Sequence, residues 1–153
     1  MLSQLEQLAD EISTLHSRFI LVVGNRGSGK TALLRLFAER RKLTILNLGS
    51  ELGKRLLTPP LFQRGRQAGT ELRALIQGQT GNDFLLLDNL EVLFDATLVL
   101  NPLDLLRKEA RARKIIAVWP GEMRDGRLSH ADIGHPEHRS YPSQGLTTLS
   151  IQR

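Results

Sequence analysis

The stretch from Phe19 to Thr31 leaves this chain few choices of fold. Five apolar residues, Phe19-Ile20-Leu21-Val22-Val23, run into Gly24-Asn25-Arg26-Gly27-Ser28-Gly29-Lys30-Thr31, and apolar residues then recur at helical spacing. A buried strand therefore turns into a helix through a segment built on glycine. Glycine, four residues, glycine, lysine and threonine is the spacing that cradles a polyphosphate, and here it has the strand before and the helix after that give it meaning.

Each residue type answers a physical need. Phosphates lie against backbone N–H groups, and side chains at Gly24, Gly27 or Gly29 obstruct that approach or forbid the angles it needs. The helix starting near Lys30 directs its positive end at the phosphates. Lys30 supplies a point charge to the β and γ phosphates, and the Thr31 hydroxyl is a hard ligand for Mg²⁺. Gly24, Asn25, Arg26, Gly27, Ser28, Gly29, Lys30 and Thr31 are therefore the candidate ATP-binding residues of this P-loop.

A second motif lies 57 positions beyond Thr31, at Phe84-Leu85-Leu86-Leu87-Asp88. Four consecutive apolar residues predict a central parallel strand buried on both faces. Asp88 at its carboxyl end stands where ligands sit in such sheets, a Walker B position sharing Mg²⁺ with Thr31 through water. Many ATPases follow this aspartate with a glutamate; here the residue is Asn89, which cannot act as a base at any pH. Glu91 is the nearest carboxylate and either polarises the attacking water or only opens a short helix. The strand at 115–119 runs into Trp119-Pro120-Gly121, where many relatives carry a polar group that senses the γ-phosphate.

The remaining pattern is helical and strand-like in turn. Leu2, Leu5, Leu8, Ile12 and Leu15 predict an amphipathic helix over 2–16; in many P-loop ATPases that place borders the adenine, so His16 and Arg18 are read either as base contacts or as ordinary linker residues. A helix over 31–41 is expected to bury Ala32, Leu33, Leu36 and Phe37, and a strand is expected over 43–48. Ser50 is read as the cap of a short helix stopped by Pro59 and Pro60, residues 63–66 as a basic flexible corner, 67–77 as a helix and 80–83 as a turn. Asn101-Pro102-Leu103-Asp104 starts a helix running to about 113 that exposes Arg107, Lys108, Arg111 and Arg113. A closing strand is expected over 146–151.

Residues 121–145 read as a long loop holding Arg124, Arg127, His130, His135, Glu137, His138 and Arg139. The histidine spacing matches no common metal site. Arginines on such a loop suit charge stabilisation at the γ-phosphate of a neighbouring subunit. Arg139 is the first choice, since Pro136 stiffens its approach and Tyr141-Pro142 anchors its far side.

The 153 residues suit one domain. The chain has no cysteine, which excludes disulfides, zinc-thiolate sites and a thiol nucleophile. Glu6 and Asp10 in the first ten residues argue against a signal peptide, and the apolar runs are too short to span a membrane, so a cytoplasmic protein is expected. A net charge of +5, from 21 basic and 16 acidic residues, favours phosphate-bearing or acidic partners, with DNA on the basic helix face one of them.

With both motifs in place the pattern resembles the additional-strand P-loop ATPases. That implies an α/β, three-layer P-loop NTPase fold with a five-stranded, mainly parallel sheet, here without a C-terminal helical lid. Asp88-Asn89-Leu90-Glu91 resembles the signal-transduction ATPases with numerous domains. The Trp119-Pro120-Gly121 turn and His135-Pro136-Glu137-His138-Arg139 resemble BrxF, the small P-loop proteins of type 3 BREX phage-defence systems. The resemblance implies antiviral defence beside a methyltransferase, a phosphatase-like protein and a larger ATPase, with ATP and Mg²⁺ as cofactors. The reading is an ATP-driven switch or assembly factor, completed by a second subunit of a homo-oligomer. The rivals are a non-hydrolysing nucleotide-dependent scaffold or DNA-binding module, and a small-molecule kinase.

Overall fold

The computed structural model describes residues 1–12, 18–24, 27–57, 60–79, 84–98, 100–131 and 137–151. The apolar runs form strands β1 (Phe19–Gly24), β2 (Ile45–Asn47), β3 (Leu85–Asp88) and β4 (Ile115–Val118). Three short strands follow, β5 (Glu122–Arg124), β6 (Arg127–His130) and β7 (Arg139–Pro142), before β8 (Thr147–Ile151). The central sheet has five strands in the order β2-β3-β4-β1-β8, all parallel. This is the three-layer P-loop NTPase arrangement, with β4 inserted between the glycine-loop strand and the Asp88 strand.

Side-chain alternation splits the core in two. Phe19, Leu21, Val23, Leu85, Leu87, Ile115 and Ala117 point to a face covered by α3 (Leu48–Arg55), α4 (Leu61–Gln77) and α5 (Pro102–Ala110). Ile20, Val22, Leu86, Ile116 and Val118 point to the other, covered by α1 (Leu2–Ile12) and α2 (Lys30–Arg41). Strands buried on both faces need apolar residues at every position, which is why their sequences run without alternation. Parallel pairing brings all five carboxyl ends to one edge, and the registers set Gly24 beside Ile151 and Asn47 beside Asp88.

Several local expectations are corrected. Residues 121–145 are not one long loop, since β5, β6 and β7 form an antiparallel sheet of their own. Its hairpin turns on Asp125-Gly126, both at positive φ (52° and 73°), the backbone that a tight two-residue turn needs. The basic corner at 63–66 lies inside α4, which runs through Gly65 and Gly69. Asn47, not Ser50, caps α3: its side chain accepts the Ser50 N–H at 3.0 Å. In α2 the buried residues are Leu33, Leu34, Phe37 and Ala38, which pack with Leu5, Ala9 and Ile12 of α1, while Ala32 and Leu36 face outward. Helix α5 ends at Ala110, three residues short of the expected end, but starts as read, with Asn101 accepting the Asp104 N–H and Pro102 in the first turn. The expected turn at 80–83, Pro59 and residues 13–16 of the first helix, His16 included, lie outside the described residues.

Candidate phosphate-binding cleft

The carboxyl edge of the sheet opens into a cleft of about 930 Å³ lined by Gly24, Gly27, Lys30, Thr31, Asp88 and Glu91 on one side and by the β5–β7 sheet on the other. The glycines differ in why they are glycines. Gly27 (φ 78°) and Gly29 (φ 97°) have open space around them and are fixed by backbone angle. Gly24 is fixed by room: a Cβ there would stand 2.6 Å from Ser28 Oγ and 2.7 Å from the Ile151 carbonyl. Ser28 is 3% exposed and its Oγ has no hydrogen-bond partner among the described residues. Asn25 and Arg26, the other two expected phosphate contacts, lie outside the described residues.

Lys30 opens α2 and folds its ammonium onto two backbone carbonyls, donating to Gly24 O at 2.7 Å and Trp119 O at 3.0 Å. Burial lowers its proton affinity below the ordinary lysine value, against the opposing pull of Glu91, Asp88 and Glu122. One helical residue on, the Thr31 hydroxyl donates to Asp88 Oδ1 at 3.4 Å. This hydroxyl and this carboxylate are hard oxygen donors of the kind Mg²⁺ takes. Among the described residues, Asp88, Glu91, Glu122, Asp125 and Glu137 outnumber Lys30, Arg124 and Arg127 along the cleft.

Asn89 is spent on structure. It adopts a left-handed backbone (φ 59°), donates its N–H to Asp88 Oδ1 at 2.8 Å and its side-chain Nδ2 to Asn47 Oδ1 at 3.0 Å. Asn47 thus holds two turns at the sheet edge, a role the sequence did not reveal. Glu91 lies in a 3₁₀ turn (Leu90–Phe94), exposed in the cleft. Glu122 and Glu137 line the same space, so Glu91 is one of several carboxylates that face it.

The β5–β7 sheet reaches the cleft because three contacts fasten it. Gly121 packs so tightly under β6 that a Cβ would fall 1.7 Å from Ser129 O. The Trp119 indole N–H donates to Ser129 O at 2.9 Å. His130 stacks on Phe94 with ring centroids 3.8 Å apart, bonds the Pro120 carbonyl through Nδ1 and lies 3.9 Å from Glu137. His138 Nδ1 meets Ala131 O at 3.1 Å.

Strand alternation sorts the three candidate arginines. Arg124 and Arg127 pair across the hairpin and line the cleft; Arg139 is set opposite His130, donates to His138 O at 3.0 Å and is not among the lining residues. Arg107, Lys108 and Arg111, the basic face of α5 and its end, sit apart from the cleft lining. The signal for the inserted sheet was present in the sequence as Asp125-Gly126, a tight-turn dipeptide.

No protein-family model matches the sequence, and no curated protein matches it. Among solved structures, "Structure of C. elegans PCH-2" matches with a TM-score of 0.49 and 15% identity, over 98% of this chain and 41% of that one. The chain spans about two fifths of the length of that structure. Among the described residues no helix is long and apolar enough to cross a membrane.

Proposed function

We propose that this chain binds Mg-ATP in the cleft at the carboxyl edge of its sheet and uses it as an ATPase-type switch. The observation that carries the reading is the meeting of Lys30 and Thr31, at the start of α2, with Asp88, at the end of β3, beside two left-handed glycines. Loop amides and the start of α2 hold the phosphates. Lys30 leaves the Gly24 and Trp119 carbonyls for the β and γ phosphates, and Thr31 and Asp88 hold Mg²⁺, which screens the phosphate charge when bound. Glu91 orients water for attack on the terminal phosphate, with Glu122 and Glu137 as neighbours that compete for the role. The engagement of Asn89 with Asn47 favours a slow enzyme or a non-hydrolysing scaffold over a fast one, because no carboxylate directly follows Asp88.

The sequence resemblance at Trp119-Pro120-Gly121 and over 135–139 supports a place in BREX-type phage defence, beside a methyltransferase, a phosphatase-like protein and a larger ATPase. Titration calorimetry tests the binding: Mg-ATP binds the wild type, Asp88→Ala binds it with little dependence on Mg²⁺, and no heat from the wild type overturns the reading.

A further inference from the structure

We propose that Arg124 and Arg127 form a clamp for the terminal phosphate of a nucleoside triphosphate, acting in the same chain as the glycine loop. The inference rests on the nucleotide reading above and adds the groups that distinguish a triphosphate from a diphosphate.

Pairing places Arg124 directly opposite Arg127, so both side chains leave the same face of the hairpin. Two like charges set opposite each other are unfavourable in a sheet, and strands of three and four residues have little pairing energy to offset them. An anion between them removes the conflict. The neighbouring register pair, Met123 and Leu128, turns the other way and packs against the core. The hairpin is amphipathic, with its charged face toward the cleft that also holds Lys30 and Asp88.

The arginines already hold weaker substitutes for a phosphate. Arg124 donates to the Glu122 carboxylate at 3.0 Å, and Arg127 Nε donates to Ser140 Oγ at 2.7 Å. The Glu122 charge is also felt by Lys30, which ties the hairpin to the P-loop electrostatically. A guanidinium binds phosphate through two parallel hydrogen bonds, more strongly than it holds a solvated carboxylate or a hydroxyl. The hairpin is also anchored where it must be for this role. Trp119 follows β4 and Phe94 closes the turn that begins after Asp88, and these two hold Ser129 and His130. The hairpin that carries the arginines is thereby anchored beside β4 and the turn after β3, and both arginines line one cleft with Lys30, Thr31 and Asp88 of the same chain.

The test is calorimetry with Mg-ATP and Mg-ADP on wild type, Lys30→Ala and the double variant Arg124→Ala/Arg127→Ala. Both guanidiniums are solvent-exposed, so losing the two forks is expected to weaken ATP by about 10–30-fold, with ADP changed less than about 3-fold. Lys30→Ala weakens both nucleotides. Both arginines are exposed, and circular dichroism checks the fold; Arg124→Lys/Arg127→Lys, which keeps charge but loses the fork, is expected to recover part of the ATP affinity. Equal weakening of ATP and ADP, or none, overturns the clamp while leaving the nucleotide reading intact. Loss of DNA affinity with an unchanged ATP to ADP ratio also overturns it, assigning the pair to a nucleic-acid backbone. Wild type that binds neither nucleotide overturns both. Adding Lys30→Ala protein to the double variant should restore no ATP affinity; restoration means that the arginines act across an interface, and the same-chain assignment fails.

Discussion

The two sheets of this protein obey different rules. In β1 every residue from Phe19 to Gly24 is buried, and in β4 every residue from Ile115 to Val118. In β6 only Leu128 and His130 are buried, and β7 is half-buried or exposed throughout. The large sheet is held by apolar burial on two faces, about 25 cal/mol per Å² removed from water. The small one packs a single apolar side, Leu128 with Met123 and Tyr141, on the main core and adds a few directed contacts: an indole N–H, a histidine on a phenylalanine, a glycine beneath a carbonyl. The large sheet supplies a rigid edge and the small one supplies the charges that face it.

The largest expected effect separates the two regions. Lys30→Ala should weaken Mg-ATP by about 10²–10⁴-fold, the loss of two charge-assisted contacts to phosphate, with the melting temperature little changed because Lys30 is not part of either apolar cluster. A variant that binds normally, or one that unfolds, breaks the view that the P-loop edge is functional and the core separate from it.

Phe94→Ala attacks the join instead. Phe94 is 1% exposed and meets both Trp119 (5.2 Å, edge to face) and His130. Truncation should cost about 3–5 kcal/mol, with amide exchange speeding most in β5–β7 and least in β1 and β4. Uniform acceleration across both sheets would show one cooperative body in place of two unequal ones.

Glu91→Gln is a finer probe. If Glu91 activates water, turnover should fall by about 10²-fold or more while the ATP affinity stays within about 2-fold. Unchanged turnover passes the role to Glu122 or Glu137, and so to the small sheet.

Asn89→Ala should cost about 1–2 kcal/mol, through the lost bond to Asn47 and a left-handed backbone that alanine resists; Asn89→Gly should cost less, since glycine accepts that backbone. Equal costs in thermal melts would exclude the conformational part.

The smallest effect is one of pH. Burial lowers the Lys30 pKa, and a bound phosphate favours its charged form and raises it. Mg-ATP affinity should therefore fall as pH rises through the lowered value, at most about tenfold per pH unit for one proton, starting below the ordinary lysine range. The fall should vanish in Lys30→Ala. The single tryptophan offers a second readout, since Lys30 leaves the Trp119 carbonyl on binding and its fluorescence should shift.

The large sheet was legible from the chain because burial on both faces leaves an unbroken apolar record at Phe19–Val23, Phe84–Leu87 and Ile115–Val118, and because Gly27, Gly29, Lys30, Thr31 and Asp88 follow from what backbone and metal ligands require. The small sheet was misread as loop because its strands alternate over three or four residues with arginine, serine and histidine inside them. The burial of Leu128 and His130 depends on Trp119 and Phe94, distant in sequence, and only Asp125-Gly126 marked it locally. Local pattern was enough for the strand-loop-helix edge and for the residue types that suit a polyphosphate, since both are set by nearest neighbours and by side-chain chemistry. Tertiary structure alone decided that Asn89 serves Asn47, that Lys30 rests on Trp119, and that Arg124 and Arg127 share the cleft while Arg139 does not line it. Those outcomes depend on which strands lie side by side and which way each side chain alternates, and one residue of register would reverse them.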